Sequence, residues 1–393
     1  MQKLMPKRVE KTFQGFKVNL SQTSYPLYIT TFGLEKSLAR LKKQLYEKKL
    51  YVITNHTVKG LYKDLIDCAL KKTGISPVWV SIPDGEKHKN LATCEKIFTK
   101  LSQKAAHRKS ALLALGGGVV GDITGFVAAS YMRGIDYFQM PTTLLAQVDA
   151  SIGGKTGVDI TTGKNMVGAF YQPKAVFIHT RFIKTLPKKE LQCGMAEVIK
   201  YGVIRDASLF DFVGRCQKSI FNCDQKTLAQ VIHKCCAIKA GIVQEDEREL
   251  SLRAILNFGH TLGHAIEVLS SYKNISHGEA VAIGMVFAAS LSRELGLCLD
   301  NDILKITRIL QLFGLPIRIP EYRVRDYIKA MFRDKKTEQH IIRFILLEKI
   351  GRVTITPLHK DVIKKCLNNV LREQKVITRI KRKTLRGRTP CKN

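Results

Sequence analysis

Ser110-Ala-Leu-Leu-Ala-Leu115-Gly-Gly-Gly118-Val-Val-Gly121-Asp122 joins an unbroken apolar run to a cluster of glycines. A run without polar alternation suits a strand buried on both faces, and such strands belong to parallel sheets. A parallel strand needs a crossover, and the chain after Gly121 reads as its helix. Upstream the same alternation repeats. Residues 27–31, 50–54 and 78–82 are strand-like, whereas 34–46, 58–73 and 90–106 have helical spacing. The expected fold is therefore an α/β N-terminal domain with a parallel sheet covered on both faces. Ligands bind such sheets at the carboxyl ends of the strands. The glycines satisfy G-x-G-x-x-G, which lets backbone N–H groups approach a pyrophosphate at a helix N-terminus. Glycine runs also make tight turns for packing alone, and this one lies on a late strand.

Composition narrows the class. The 393 residues are 45% apolar and 25% charged, enough for two domains with sizeable cores. No apolar run is long enough for a membrane span, and no apolar segment follows the basic N-terminus as in a signal peptide. The ten cysteines form no Cys-x-x-Cys pair, a pattern of reduced cytoplasmic thiols. Net charge is +32, and removing the eight Lys/Arg of residues 375–393 still leaves +24. Charge spread this widely suits an anionic small substrate as well as nucleic acid or an anionic membrane. The basic tail is read as a solvated extension rather than a nucleic-acid arm.

Beyond the glycines, Asp149, Gly153-Gly154-Lys155-Thr and Gly163-Lys164-Asn165 put carboxylate, lysines and flexible backbone close together. Gly-Gly-Lys-Thr looks like the end of a P-loop, but Asp149 stands where its leading glycine is required. An anion site remains the better reading. From about Lys184 the chain turns helical, and Glu197 and Lys200 share a face at i,i+3 in an apolar setting. Arg253, Asn257, His260, His264 and His277 then crowd one short segment. On a helix His260 and His264 lie one turn apart, the spacing of two zinc ligands. The metalloprotease motif fails, because Thr261 replaces its glutamate.

Together these pieces resemble the 3-dehydroquinate synthase family. The resemblance runs from about Tyr28 to Ile355. It rests on Pro83-Asp-Gly-Glu86-Lys-His-Lys89, the glycine cluster, Tyr131-Met-Arg133-Gly, Gln139-Met-Pro-Thr-Thr, and Val148-Asp-Ala-Ser-Ile-Gly-Gly-Lys155. It continues through Gly163-Lys-Asn165, Gly194-Met-Ala-Glu-Val-Ile-Lys200, Asn257-Phe-Gly-His-Thr-Leu-Gly-His264, His277-Gly-Glu279 and Asp334-Lys-Lys336.

The resemblance implies a Rossmann-like NAD-binding α/β domain over 1–180 and a mostly α-helical metal-binding domain over 181–370; the basic tail over 371–393, read from its charge run as disordered, has no counterpart in the family. It implies Zn²⁺ (or Co²⁺) on Glu197, His260 and His277, with His264 facing substrate, although i,i+4 spacing by itself would make His264 a ligand. NAD contacts map onto Asn55, Asp84, Gly85, Glu86, Lys87, His88, Lys89, Gly118, Val119, Val120, Gly121 and Asp122. They extend to Thr142, Thr143, Lys155, Lys164, Phe182, Ile183, Lys184 and Thr185. The catalytic pocket maps onto Asp149, Lys155, Asn165, Lys200, Lys239, Arg253, Asn257, His264, Lys335 and Lys336, with Arg133 reaching the site of a second subunit in a homodimer. The implied activity is cytoplasmic conversion of 3-deoxy-D-arabino-heptulosonate 7-phosphate to 3-dehydroquinate and phosphate. The rival readings are a cyclase of the inosose or valiolone type and a metal-dependent polyol dehydrogenase. Two departures stand out. Asn55 lacks the carboxylate that favours a ribose diol, and Asp159 replaces an expected neutral polar residue.

Overall fold

The computed structural model describes residues 13–20, 23–31, 33–45, 48–271, 273–333 and 341–386. The chain divides into two compact units. The first comprises residues 1–194 and 218–249, the second 195–217 and 250–393. The sequence places a boundary near residue 180; the structure returns residues 218–249 to the first unit, a folding-back that local pattern cannot reveal.

In the first unit β1 (Phe13–Val18), β2 (Tyr25–Thr30) and α1 (Leu34–Leu45) lead into β3 (Leu50–Asn55) and α2 (His56–Lys71). Then follow β4 (Val78–Ile82), α3 (Leu91–Gln103), β5 (Ala111–Gly116), α4 (Gly118–Ser130) and β6 (Asp136–Pro141). A hairpin of β7 (Lys155–Ile160) and β8 (Gly163–Phe170) precedes β9 (Val176–His179). The sheet order is β1-β2-β9-β6-β5-β3-β4, parallel except for the antiparallel pair β1–β2. All six residues of β5 are buried, as its lack of alternation requires. Its side chains leave on alternate faces. Leu113 and Leu115 join α1 and α2 on one face, and Leu112 and Ala114 join α3 and α4 on the other. The chain goes from β3 to β4 on one side and to β5 on the other. The loops after β3 and β5 therefore flank the point where strand order reverses, the usual ligand crevice of an open α/β sheet.

The glycine cluster meets a tight packing demand. A Cβ on Gly116 would sit 2.6 Å from Val120, so the turn into α4 closes only with glycine there. The helix begins at Gly118 rather than after Gly121, and Gly117 at its cap offers no side chain to its first N–H groups. The neighbouring helices are capped. Asn55 Oδ1 accepts from Val58 N at 3.0 Å and Asn90 Oδ1 from Thr93 N at 3.0 Å.

Helix α5 (Lys188–Arg205) begins in the first unit and continues into the second. Next come α6 (Ala207–Arg215), α7 (Gln217–Phe221) and α8 (Gln225–Glu245), of which α8 packs within the first unit against β1 and β2. The second unit continues with α9 (His260–Leu269), α10 (His277–Glu294), α11 (Asp300–Leu312) and α12 (Val324–Arg333). A hairpin, β10 (Ile341–Lys349) and β11 (Arg352–His359), and α13 (Lys360–Arg386) complete it. The tail expected to be disordered from residue 371 instead prolongs α13 to Arg386. No glycine or proline interrupts residues 360–386, and Gly387 follows directly. Among the described residues no helix is long and apolar enough to cross a membrane.

Helices α9 and α10 meet at backbone distance. A Cβ on Gly284 would lie 1.8 Å from Gly259 O, so α10 needs glycine where the start of α9 crosses it. Gly284→Ala is expected to cost about 3 kcal/mol or more in urea unfolding, because backbone rather than a flexible side chain must give way.

Candidate active site

In the second unit three elements converge on one carboxylate. Glu197 and Lys200 lie on α5, 0% and 2% exposed, and their side chains are ion-paired. Gly259, at left-handed φ 81°, turns the chain so that His260 is the first residue of α9. His277 is the first residue of α10, where Ser276 and Glu279 form a capping box, with Ser276 N donating to Glu279 Oε2 at 2.7 Å. His260 Nε2 is 3.5 Å and His277 Nε2 3.6 Å from Glu197 Oε1.

The three donors fit a divalent cation. Ligand atoms of Glu197, His260 and His277 all lie within 4.8 Å of one another. A tetrahedral ion with bonds of 2.0–2.1 Å separates its ligand atoms by about 3.3 Å, close to the spacing seen here. Two imidazole nitrogens and one carboxylate oxygen are also the donor set of zinc and cobalt sites with a position left for substrate. His264, one turn along α9, stands exposed with its ring 5.4 Å from that of His260, and it is not in the Glu197 group. Spacing of i,i+4 brings His264 near the cluster. The third member of the Glu197 group, His277, comes from α10.

Electrostatics distinguish the two imidazoles. Burial, with Lys200 beside it, lowers His260 to about 3, so this ring is neutral with a lone pair available. Against the burial penalty, Glu197 and Glu267 push His277 up to about 10. Arg253, in the turn Leu252–Asn257, is 2% exposed, and Asn257 is half-buried.

In the first unit the expected cofactor residues gather at the carboxyl ends of the strands. Asn55 ends β3, the turn 84–89 follows β4, Gly118 to Asp122 open α4, and Thr142 and Thr143 follow β6. Phe182, Ile183, Lys184 and Thr185 lie in the turn Thr180–Thr185 after β9. His179 Nδ1 starts that turn by accepting from Arg181 N at 3.1 Å. Thr142 N donates to Gly116 O at 2.9 Å, tying the β5 and β6 loops together. Asp84 accepts from Thr57 N at 3.3 Å, and Lys164 is 3.7 Å from Glu86. Exposed Gly85 and Lys87 and half-buried His88 complete the turn.

Lys89 is the buried exception, 5% exposed, with Nζ donating to Asp122 Oδ2 and Asn165 Oδ1, both at 2.6 Å. Burial pushes the Asp122 carboxyl up; at Lys89 burial is outweighed by Asp122 and Glu86, which hold the amine above its ordinary value. Asp159, the unexpected acid, accepts from Asn165 N at 2.8 Å and so holds that residue at φ 54°. Its own N donates to Lys89 O at 2.8 Å. The sequence flags Asp159 only as a departure; its role as a clamp on Asn165 needs the hairpin register. Lys89→Met is expected to cost about 3 kcal/mol in urea unfolding by leaving Asp122 without its cation, whereas exposed Lys87→Met should cost under about 0.5 kcal/mol.

Three further candidates lie in this unit. Lys239 Nζ on α8 donates to Asp149 Oδ1 at 2.7 Å and to Asp149 O at 2.6 Å. Lys155, half-exposed at the start of β7, is ion-paired with Glu249. Arg133 is exposed at φ 66° beside Met132 at φ 50°, two successive left-handed residues. Lys335 and Lys336 lie outside the described residues.

Comparison with known proteins places this geometry. Sequence models of the 3-dehydroquinate synthase N-terminal and C-terminal domains match residues 79–193 and 194–337. The chain is 46% identical over 334 residues to the 3-dehydroquinate synthase of Syntrophotalea carbinolica, covering 85% of this chain and 92% of that one. It is 43% identical to that of Neisseria meningitidis serogroup C, over 90% of this chain and 99% of the relative. Among solved structures, 2-epi-5-epi-valiolone synthase from Streptomyces hygroscopicus with NAD⁺ and Zn²⁺ bound has TM-score 0.81 at 26% identity, covering 90% and 99% of the two chains. A 2-deoxy-scyllo-inosose synthase complexed with carbaglucose-6-phosphate, NAD⁺ and Co²⁺ has TM-score 0.79 at 27% identity, over 90% and 98%. An iron-containing alcohol dehydrogenase from Thermococcus thioreducens, at 15% identity and TM-score 0.63 over 88% and 98%, shares the fold alone.

Proposed function

The chain belongs to the 3-dehydroquinate synthase family, and from that premise we propose that it converts 3-deoxy-D-arabino-heptulosonate 7-phosphate to 3-dehydroquinate and phosphate, using NAD and a divalent cation. The observation that carries this reading is the convergence of His260 and His277 on Glu197 Oε1. Glu197, His260 and His277 would hold the cation. Asn55, the turn 84–89, the start of α4, Thr142, Thr143, Lys164 and the turn Thr180–Thr185 would hold NAD.

When bound, the cation would lower the pKa of a substrate hydroxyl, and NAD would supply a reversible hydride acceptor for the carbon that bears it. Reversible oxidation at that carbon would make the neighbouring C–H acidic. Phosphate can then leave by β-elimination, taking the proton on its own oxygen, and ring opening with an intramolecular aldol closes the carbocycle. The protein's residues bind and orient. Lys155, Lys239, Lys200 and Arg253 neutralise a carboxylate and a phosphate, and three of the four are buried, where such charges act most strongly. Asp149 fixes the direction of Lys239. His264, whose ring lies 5.4 Å from that of His260, and Asn257 would present polar groups to the substrate.

The inosose and valiolone cyclases are the lesser alternative. Identity to 3-dehydroquinate synthases is 43–46%, against 26–27% to those cyclases. Buried Arg253 also suits a substrate carboxylate. We place the enzyme in the cytoplasm as a homodimer in which exposed Arg133 reaches its neighbour. The left-handed backbone at 132 and 133 supports a role that repays its strain. Phosphate release from the heptulosonate phosphate, with and without NAD⁺ and a chelator, tests the reading. It should need both cofactors and leave no net NADH. Turnover of a carboxylate-free heptulose phosphate in its place would favour the alternative.

A further inference from the structure

Both imidazoles of the Glu197 cluster turn Nε2 toward the same carboxylate oxygen, so each needs something to occupy Nδ1. For His260 the partner is the Phe258 carbonyl at 3.2 Å. For His277 it is Glu267 Oε1, at 3.5 Å from Nδ1. Glu267 lies on α9, seven residues or two turns beyond His260, so α9 presents His260 and Glu267 along one side to α10. Its carboxylate is buried, although nothing in the reaction described above uses it. Burying a carboxylate is costly unless it is paired, and the pairing here is with a proposed ligand.

We infer that Glu267 is a positioning residue of the metal site: its carboxylate takes the Nδ1–H of His277 and so presents the Nε2 lone pair beside Glu197 and His260. The inference rests on the metal reading above. A cation at Nε2 leaves the imidazole one proton, and a partner that only accepts holds it on Nδ1. A carboxylate at that position also makes the ligating nitrogen a better donor and stops the ring from turning. The two anchors differ in kind. A backbone carbonyl holds His260, and a charged side chain holds His277, so only the second can be removed by substitution.

His264, Glu267 and His277 also lie within 4.8 Å and offer three donor atoms. A second ion there would have to bind His277 at Nδ1 while the first used Nε2, stripping the ring of both protons. One tautomer and one ion make the smaller demand.

The test uses the full-length apoprotein, with zinc affinity read by competition against a chromophoric chelator, metal content by elemental analysis, and folding by urea unfolding without metal. Glu267→Ala is expected to weaken zinc binding about 10- to 100-fold. Glu267→Gln, which keeps shape and one acceptor oxygen, should weaken it about 5-fold or more while unfolding as the parent does. Should the alanine variant fail to fold, the glutamine variant carries the test. Unchanged affinity, within 2-fold, in the folded variants would overturn the inference, as would a second equivalent of zinc in the parent that Glu267→Gln abolishes. His260→Ala serves as the control: if it still binds zinc as the parent does, the ligand reading itself fails, whereas lost binding there with unchanged Glu267 variants sinks only the role of Glu267.

Discussion

His260→Ala is expected to lose bound metal and activity together, with turnover down about 10⁴-fold or more, equivalent to about 5.5 kcal/mol or more of barrier. The size follows from the donor count. Three protein ligands are the usual minimum for a catalytic zinc, and removal of one of the two imidazoles leaves Glu197 and His277. Folding should survive. The His260 ring is neutral in its buried position, so its removal strands no charge, and Glu197 keeps Lys200 as its cation. Metal content and activity measured on the same preparation check this. His264→Ala, one turn along the helix, should retain stoichiometric metal while losing turnover, which separates a substrate-facing histidine from a ligand.

Lys155→Ala carries the second large effect. Lys155 is half-exposed, opens β7 and pairs with Glu249, so the fold does not depend on its burial. A half-exposed cation paired with a carboxylate can be taken over by a phosphate, which offers more oxygens and more charge. The expected loss in kcat/KM is about 10²- to 10³-fold, the range for removing one charge-stabilising donor. NAD affinity, read by fluorescence quenching, should change less than about 3-fold. Equal loss in both would assign Lys155 to the cofactor instead.

Much of the first unit was legible because its signals are local. An unbroken apolar run, a glycine turn and helical spacing specify β5 and α4 within thirteen residues of chain, and the same logic recovers β3, α2 and β4. What escaped depends on contacts between distant segments. Helix α8 carries no mark of its return to the first unit, and a membership fixed by packing is invisible to periodicity. The hairpin β7–β8 looked like a glycine-rich anion loop, and only its register shows Asp159 clamping Asn165.

The metal centre divides the same way. Helical spacing alone draws attention to His260 and His264, whereas Glu197 and His277 enter by resemblance to a family. In the proposed site the third donor is the first residue of α10, which helical spacing on α9 cannot indicate, and α9 meets α10 at Gly284, where no side chain keeps the helices apart. Glu267 had a signal, seven residues beyond His260 on the same helix, but a lone glutamate there reads as an ordinary surface residue until its burial is known.

The claim on which the rest depends is that Glu197, His260 and His277 bind one ion. Anomalous scattering from a crystal of the full-length protein grown with zinc tests it most directly. The account predicts a single peak about 2.0–2.2 Å from Glu197 Oε1, His260 Nε2 and His277 Nε2, with His264 outside bonding distance. A peak bonded to His260 and His264 with Glu197 turned away, or no peak at this cluster, would contradict it.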